Sequence, residues 1–458
     1  MKKNLLALFL LSTFVFQSVT LAQTVARPNS PARKAASLIT AEQLKDYLYY
    51  VASDEMEGRD TPSRGLDLTA KFIALNLKRW GFKPAGDNGN SFFQKIALRR
   101  DVIDAASATV EIGGQRFAYG EDFMRVSGNA VGALAAPVVY AGDGWMIKSK
   151  NLNPYQGIDV KGKFIAVYSE GEITSPQNLI PLPEGVSNSD LRGNRGTDWA
   201  DAVSYARQNG AAGVIVLPSK FLQSNWSTVR QLFGRNRTYV EKLAAPLAVG
   251  RSSASVFLAS PKVAEAIFNN EAQNPLSGAV KTAFDLTDDK KLNLNLALKP
   301  EIVWTQNVVA VWEGSDPQLK SEMVAVGAHY DHVGVQPNAA GEDKIWNGAD
   351  DDGSGTVAVL AMAEALAKSQ KRPKRSILLV WHAGEEKGLW GSEYFNKYPT
   401  VDIKKVVAQL NIDMIGRSRK TDDANPKNKN LSGEQEVYVI GSEMMSSKLG
   451  AVTKAIND

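Results

Sequence analysis

The pattern of apolar and polar positions predicts alternating strands and helices in the C-terminal third of the chain. From residue 305 onward, four continuous apolar runs are separated by segments with helical periodicity: NVVAVW, MVAVGA, SILLVW and VVAQLNI. A helix is predicted over 356–368, where apolar residues recur on one face. Continuous apolar strands separated by helices are typical of a sheet that is covered on both faces.

The regions before residue 305 have different patterns. Helices are predicted over 40–53, with Thr40 as N-cap, and up to Gly81, with a charged loop, SDEMEGRDTPSRG, between them. Residues 126–285 contain short β-branched and aromatic runs that end in glycine, together with a strand–helix–strand pattern, which indicates a small separate domain. The run KLNLNLALK (291–299) alternates with period two and is predicted to return the chain to the main sheet.

The N-terminus has the pattern of a secretory signal peptide. Lys2 and Lys3 precede an apolar run over 5–16, and Thr20 and Ala22 are small residues at the positions that signal peptidase reads. The run is too short to span a bilayer, so a membrane anchor is the weaker interpretation. We therefore predict cleavage after Ala22 and a secreted or periplasmic product with no membrane span.

Composition narrows the possible chemistry. With 44% hydrophobic and 22% charged residues, a chain of 458 residues is expected to form two or three globular domains. A net charge of +4 without a basic face does not favour nucleic acid as a partner. The chain has no cysteine, which excludes disulfides and thiol catalysis, so any metal must be held by His, Asp and Glu.

Acidic residues gather where the predicted strands end. His329, the pair Glu385 and Glu386, and Asp413 each follow one apolar strand, and the turn NGADDDGSG places 350–352 between the first two strands. Open α/β sheets bind ligands at the carboxyl ends of their strands, so these side chains are expected to converge. So many acids need a compensating charge, and one or two divalent cations would supply it.

Several roles within this group remain open from the residues alone. Asp331, in an H-x-D spacing, can orient the imidazole of His329 from behind. One of Glu385 and Glu386 can bind a metal while the other acts as general base, and Asp351 can bridge two ions. Each motif taken singly would more often be structural.

The two remaining histidines are given no ligand role. A structural role is the favoured interpretation of His332, with a direct role in the site as the alternative. His382 lies three residues before Glu385, so it either lines the pocket or packs at the end of its strand.

Four motifs in order, GAHYDHVG, NGADDDGSG, AGEEKGLWGSEYF and LNIDMIGR, resemble the co-catalytic di-zinc aminopeptidases, a family that includes glutamate carboxypeptidase-like members. Residues 126–285 more loosely resemble the protease-associated domain inserted in some members. The resemblance implies an α/β fold of zinc exopeptidase type: a mixed, mostly parallel sheet sandwiched by helices, with a smaller β-rich α/β insert. The implied domains are 1–22 signal peptide, 23–125 and 286–458 catalytic, and 126–285 insert.

The resemblance also implies a role for each metal ligand and catalytic group. Asp351 bridges two zinc ions; His329 and Asp413 complete one site, and Glu386 belongs to the other. Glu385 is then the general base that activates a metal-bound water.

Two further implications concern neighbouring residues. Asp331 supports His329, and the Asp351–Asp352 peptide is expected to be cis, as in relatives. Asp350 falls outside the set of ligands.

One departure from the family pattern concerns the second zinc site. The family places another histidine downstream of the third strand, but no histidine follows His382 in this sequence. Either the sequence is a fragment, as its end within a predicted helix favours, or the protein has lost one metal site. A second site with only carboxylates would bind zinc more weakly.

The function predicted from the sequence is that of a secreted zinc exopeptidase that removes N-terminal residues from peptides. A glutamate carboxypeptidase-like dipeptide hydrolase is the nearest alternative. A non-catalytic metal-binding or interaction protein is the alternative from another class, if the downstream histidine is truly absent.

Overall fold

A computed structural model describes residues 30–170, 180–233, 237–244, 248–249, 255–277, 280, 282–287, 290–337, 339–434 and 436–457. The predicted signal peptide, 1–22, lies outside these residues. The chain forms two compact units, the first from Met1–Leu98 with Val303–Asp458 and the second from Arg99–Ile302. No helix in the described part of the chain is long and apolar enough to cross a membrane.

The strands are numbered in chain order. They are β1 Lys83–Pro84, β2 Phe93–Ile103, β3 Thr109–Ile112, β4 Gln115–Ala118, β5 Phe123–Ser127, β6 Ala130–Tyr140, β7 Met146–Ile147, β8 Phe164–Val167, β9 Trp199–Ala200, β10 Gly213–Val216, β11 Arg237–Val240, β12 Ala248–Val249, β13 Val256–Ala259, β14 Phe284–Asp285, β15 Lys291–Leu296, β16 Leu298–Trp312, β17 Met323–His329, β18 Gly334–Val335, β19 Ile345–Trp346, β20 Ser376–His382 and β21 Val406–Asn411.

The α-helices are numbered in the same way. They are α1 Pro31–Ala36, α2 Ala41–Val51, α3 Arg64–Arg79, α4 Ala202–Asn209, α5 Lys220–Ser224, α6 Trp226–Phe233, α7 Pro261–Phe268, α8 Gly355–Lys368, α9 Trp390–Lys397, α10 Ser442–Met445 and α11 Ser447–Asn457.

The first unit contains a mixed sheet, as predicted, with the strand order β2–β16–β20–β17–β21 and β1 beside β16. Its parallel part consists of β17 with its two neighbours, β20 and β21, whereas β16 runs antiparallel to β20 and to β1. All four apolar runs that were predicted as strands belong to this sheet. The strands with reactive residues at their ends are the parallel ones.

Helices cover both faces of this sheet. On one face, Leu66 and Ile73 of α3 and Leu360 of α8 share a buried core with the strands. On the other face, Phe395 of α9 packs against Leu378 and neighbouring strand residues. The prediction that helices enclose the sheet is therefore confirmed.

Local sequence signals define the helix ends near the site. Thr40 caps α2 as predicted, because its hydroxyl accepts from the N–H of Gln43 while the Gln43 side chain accepts from the N–H of Thr40. The predicted helix over 356–368 is α8, which begins one residue earlier at Gly355.

The second unit contains a ten-stranded sheet in which β6, β8, β10 and β13 are successive parallel neighbours. This unit begins at Arg99, ahead of the predicted boundary at 126, because β3 pairs with β15 and β5 pairs with β13. The predicted insert lies within it. Its assignment as a protease-associated domain stays a prediction.

One expectation about chain path was wrong. The run over 291–299 was predicted to return the chain to the main sheet, but β15 pairs with β3 and β6 of the second unit. The following strand, β16, joins the sheet of the first unit. Alternating burial shows that a strand has one buried face, but it does not show against which sheet that face packs.

Candidate metal centre

Three parallel strands bring their carboxyl ends to the same edge of the sheet. His329 is the last residue of β17 and lies in register with His382, the last residue of β20. Asp413 follows β21, which pairs with the other side of β17. Because the strands are parallel, the residues after each strand emerge together, as the sequence predicted.

The first group of side chains surrounds the imidazole of His329. Its Nε2 atom lies 3.1 Å from Oδ1 of Asp351, 3.8 Å from Oδ1 of Asp413 and 3.9 Å from Oε2 of Glu385. The His329 side chain is 3% exposed, whereas that of Asp413 is 41% exposed. The imidazole therefore forms the buried floor of the group and the carboxylates face an opening.

A second group lies beside the first. One ring nitrogen of His332 and one carboxylate oxygen each of Asp351 and Glu386 lie within 4.8 Å of one another. Nδ1 of His332 is 2.6 Å from Oε1 of Glu386. Asp351 belongs to both groups. The sequence favoured a structural role for His332, although its place in the run H-Y-D-H, one residue after Asp331, was a signal that could have marked it.

Asp331 connects His329 with the loop that carries the two glutamates. Its side chain is fully buried, with Oδ1 3.6 Å from Nδ1 of His329. The same oxygen accepts a 3.1 Å hydrogen bond from the backbone N–H of Glu385. Its other oxygen, Oδ2, has no hydrogen-bond partner among the described residues. This placement allows Asp331 to orient both the imidazole and the Glu385 backbone.

Asp352 is a structural residue rather than a candidate ligand. Its buried carboxylate accepts the backbone N–H groups of His329, Gly355 and Met414 at 3.2, 2.9 and 3.2 Å. Burial raises the pKa of Asp352 to about 8, with the charge of His329 opposing the shift. Asp352 thus ties together the end of β17, the start of α8 and the segment after β21.

The three consecutive acids of the turn have different surroundings. The Asp351–Asp352 peptide is cis, as the resemblance implied. Asp350 accepts the N–H of Gly416 at 2.8 Å, Asp351 lies beside His329, and Asp352 is buried. The turn therefore contributes one of its three carboxylates to the candidate ligand groups.

A buried cation from the charged loop before α3 supports the same region. Arg59 is fully buried, and its guanidinium donates to four backbone carbonyls, those of Val51, Tyr330, Asn347 and Gly348, at 2.7–2.9 Å. Burial lowers its pKa to about 10, against the charges of nearby acids including Asp331. No pattern in the sequence marked Arg59, because an arginine in a charged loop is usually solvated.

The electrostatics of the group favour added positive charge. Burial works against protonation of His329, yet the carboxyls of Asp331, Asp413 and Asp352 outweigh it and raise the pKa of the imidazole to about 11. For Glu385, burial is the largest cause of a raised pKa, and the charge of Glu386 adds to it. Carboxylates that raise the pKa of a neighbouring group in this way are suited to a bound cation.

His382 packs within the protein. It is buried, its ring lies edge-on to Phe395 at 6.1 Å between centroids, and Nδ1 has no partner in the described part of the chain. Burial lowers the pKa of His382 to about 4, and the charge of His329 adds to this shift. Of the two interpretations left open by the sequence, the packed histidine is the one observed.

The donor set fits a zinc ion. Each group offers one imidazole nitrogen and carboxylate oxygens, which are ligands that zinc accepts, and the ligand atoms are already close to one another. The fold and these groups define an α/β protein with a candidate metal centre at the strand ends of its first unit.

Residues 307–449 match the model of a known family, described as Peptidase family M28. The match makes this segment, about a third of the chain, similar to that family. The segment contains both candidate ligand groups. It forms part of the first unit.

Curated relatives match the chain over a limited segment. A probable leucine aminopeptidase from Arthroderma otae is 42% identical over 22% of this chain and 28% of its own length. An aminopeptidase from Pseudomonas aeruginosa is 36% identical over 29% and 22%, and leupeptin-inactivating enzyme 1 from Streptomyces exfoliatus is 35% identical over 24% and 22%. The chain therefore spans less than a third of the length of these three relatives.

Among solved structures, the chain is similar to an aminopeptidase from Aneurinibacillus sp. strain AM-1. The two are 16% identical, with a TM-score of 0.40, and the match covers 83% of this chain and 72% of that chain.

Proposed function

We propose that the protein is a zinc-dependent exopeptidase that removes N-terminal residues from peptides, with Glu385 as general base. One observation carries this proposal: Nε2 of His329 faces the carboxylates of Asp351 and Asp413 at 3.1 and 3.8 Å, with Glu385 beside them at 3.9 Å. The names of the curated relatives, several of which are aminopeptidases, support the same reaction class.

The ligand roles follow from the two groups. His329, Asp351 and Asp413 would hold one ion, and Asp351 and Glu386 would contribute to a second. Zinc, when bound, supplies Lewis acidity that polarises a carbonyl oxygen and acidifies water.

In this proposal a side chain of the protein, the Glu385 carboxylate, carries the protons. The Glu385 carboxylate lies next to the ligands without being needed in either group, so it is free to take a proton from the attacking water. It then returns that proton to the amine nitrogen of the departing peptide. Asp331 holds the His329 ring and the Glu385 backbone in place for this exchange.

Two features of the whole protein are part of the proposal. The signal sequence at 1–22 supports export to the periplasm or the medium. The strand–helix–strand pattern of the second unit supports its assignment as a protease-associated-like domain.

The test uses the purified full chain and leucine p-nitroanilide. Hydrolysis is expected to stop on chelation and to return with zinc. Glu385→Gln is expected to lower kcat by roughly 10²–10⁴-fold, the usual contribution of a general base, without changing zinc content. Glu393→Gln, in an exposed ion pair with Lys397 on α9, is the matched control and should leave kcat unchanged.

Two results would contradict the proposal. Zinc binding without any hydrolysis of aminoacyl or dipeptide substrates would identify a binding protein. Wild-type hydrolysis by Glu385→Gln would remove that residue from the reaction.

A further inference from the structure

A row of exposed lysines lies at the edge of the main sheet opposite the candidate metal centre. The parallel strands β17, β20 and β21 begin at this edge, in register at Met323, Ser376 and Val406. The segments that lead into these strands therefore lie side by side. Their exposed lysines, called the basic edge from here on, are Lys320, Lys371, Lys374, Lys404 and Lys405.

Positive charge is concentrated in these segments. Together, 313–322, 371–375 and 402–405 hold seven basic and four acidic residues, an excess of three positive charges. The whole chain of 458 residues has a net charge of +4. The sequence alone showed no basic face, because the three segments are separated by tens of residues and only the sheet brings them together.

The acids of these segments are engaged with other groups. Glu322 pairs with Arg375 at 2.6 Å, and Glu313 pairs with Lys83 at 2.6 Å. The other two acids accept backbone N–H groups of their own turns. The lysines of the basic edge have no side-chain hydrogen bond or ion pair within the described part of the chain. Their charges are therefore available to a partner.

The backbone beneath the basic edge is held by hydrogen bonds between the loops. The N–H of Asp316 donates to the carbonyl of Lys374 at 3.2 Å, and the hydroxyl of Ser376 donates to the carbonyl of Lys320 at 2.7 Å. Because these loops are already ordered, binding a partner costs less conformational entropy than it would for a mobile basic tail.

The residue types at this edge favour a lipid surface over a nucleic acid or another polymer. Arg372 lies over the ring of Trp312 at 4.1 Å and Arg375 is paired, so both arginines are occupied. Trp312 is buried, so its ring is not open for a base to stack on. The remaining lysines are compact, hydrated charges, which suit the diffuse attraction of an anionic surface.

We propose that the basic edge docks the protein on an anionic lipid surface. Strand β17 has seven residues, so its two ends are roughly 20 Å apart at about 3.3 Å per residue. Docking through the basic edge leaves the carboxylates of Asp351 and Asp413, at the other end of the strands, facing away from the lipid. The inference uses residues that the proposed function does not, and it stands independently of that function.

The experiment measures co-sedimentation of the untagged full chain with two kinds of vesicle, one of phosphatidylcholine and one of an equimolar mixture with phosphatidylglycerol. The ratio of the two partition coefficients cancels any apolar contact with lipid. This ratio is expected to lie well above one at about 0.1 M salt and to approach one at about 1 M, where charges are screened within a few ångströms.

Paired substitutions locate the contact. Lys371→Gln/Lys374→Gln should lower the ratio by roughly 5-fold for each lysine, or about 25-fold in all. Lys404→Gln/Lys405→Gln, on the neighbouring segment, should have a similar effect. The matched control is Lys427→Gln/Lys429→Gln, which removes two exposed lysines from the segment after Asp413 and should leave the ratio nearly unchanged.

Three results would overturn the proposal. A wild-type ratio near one would show that the lysines are only solvated. An equal decrease in the control variant would assign the binding to overall charge rather than to the basic edge. Retention of the protein by soluble dextran sulfate, without binding to the mixed vesicles, would identify an anionic polymer as the partner. None of these measurements depends on peptide hydrolysis, so the proposed function is tested separately.

Discussion

The two units each contain parallel strands, but the residues after those strands differ. In the first unit the strand ends lead to His329, Glu385 and Asp413, whose side chains converge. In the second unit, β10 leads to Ser219 and β13 to Ser260, which cap the helices α5 and α7 by accepting the N–H groups three residues on. At the strand ends of the first unit, acidic side chains lie close together. At the strand ends of the second unit, serine hydroxyls cap the helices that follow.

Both units bury charged side chains, but they differ in which elements carry them: Asp101 and Arg125 of the second unit, 2% and 3% exposed, lie within the strands β2 and β5. In the second unit, Lys148 and Asp198 form an ion pair with side chains 63% and 39% exposed, as on most protein surfaces. In the first unit, Arg59, Asp331 and Asp352 are all 0% exposed. The carboxyl ends of parallel strands form a candidate ligand site where the residues that follow them carry charges that other protein groups do not neutralise.

Removing the buried cation should produce the largest loss of stability. Arg59→Met leaves four backbone carbonyls without their donor, and we expect the free energy of unfolding to fall by about 3 kcal/mol or more, since each buried unsatisfied group costs roughly 1–3 kcal/mol. Urea unfolding of the zinc-free protein measures this. Arg64→Met is the matched control, because the Arg64 side chain is 75% exposed and its ion pair with Glu57 is long, at 3.9 Å. Equal losses in the two variants would contradict the structural role of Arg59.

Changing the buried acid behind His329 should weaken metal binding. Asp331→Asn keeps the shape but removes the charge that faces Nδ1 of His329, and the affinity for the first zinc ion should fall by about 10–100-fold, or roughly 1.4–2.7 kcal/mol. Competition with a chromophoric chelator measures it. Asp159→Asn, at an exposed position in the second unit, should not change the affinity. An equal loss of affinity in Asp159→Asn would contradict a specific role for the carboxylate beside His329.

The buried His382 should make stability depend on pH. Its pKa is about 4 when folded, mainly because of burial, against an ordinary value of 6.5, so the unfolded chain takes up the proton first as pH falls. Its neutral packing is therefore fully stabilising above pH 6.5, and stability is lost towards pH 4 by up to about 1.4 kcal/mol per pH unit.

The measurement compares urea unfolding at pH 7 and pH 5 in zinc-free protein. The wild type should lose more stability than His382→Gln between these pH values. An identical loss in both proteins would assign the pH dependence to other groups.

A strand-end residue of the second unit should give the smallest effect. Ser260→Ala removes the N-cap of α7 and should lower the free energy of unfolding by about 1 kcal/mol. Zinc affinity should not change, and Ser260→Thr, which keeps the hydroxyl, should restore most of the stability. Altered zinc binding in Ser260→Ala would show that the strand ends of the second unit also act on the metal centre.

Much of the first unit could be predicted because its signals are local. The apolar runs marked the strands, Thr40 marked the start of α2, and the residues after three strands marked the place where side chains converge. Period and capping depend on residues a few positions apart, so one sequence suffices to identify them. The path of β15 was missed, because the choice of sheet depends on distant partners.

The sequence by itself determined which chemistry is available: no cysteine, three histidines, and acids placed after apolar strands. Only the tertiary structure decided how those groups are divided. In the folded chain, Asp351 lies beside His329, and Asp352 is buried and accepts backbone N–H groups. Arg59 donates to the backbone carbonyl of Tyr330, and the ring of His332 packs against Gly348. The physical reason is that the direction of a side chain on a turn is set by backbone partners tens to hundreds of residues away, which no local pattern records.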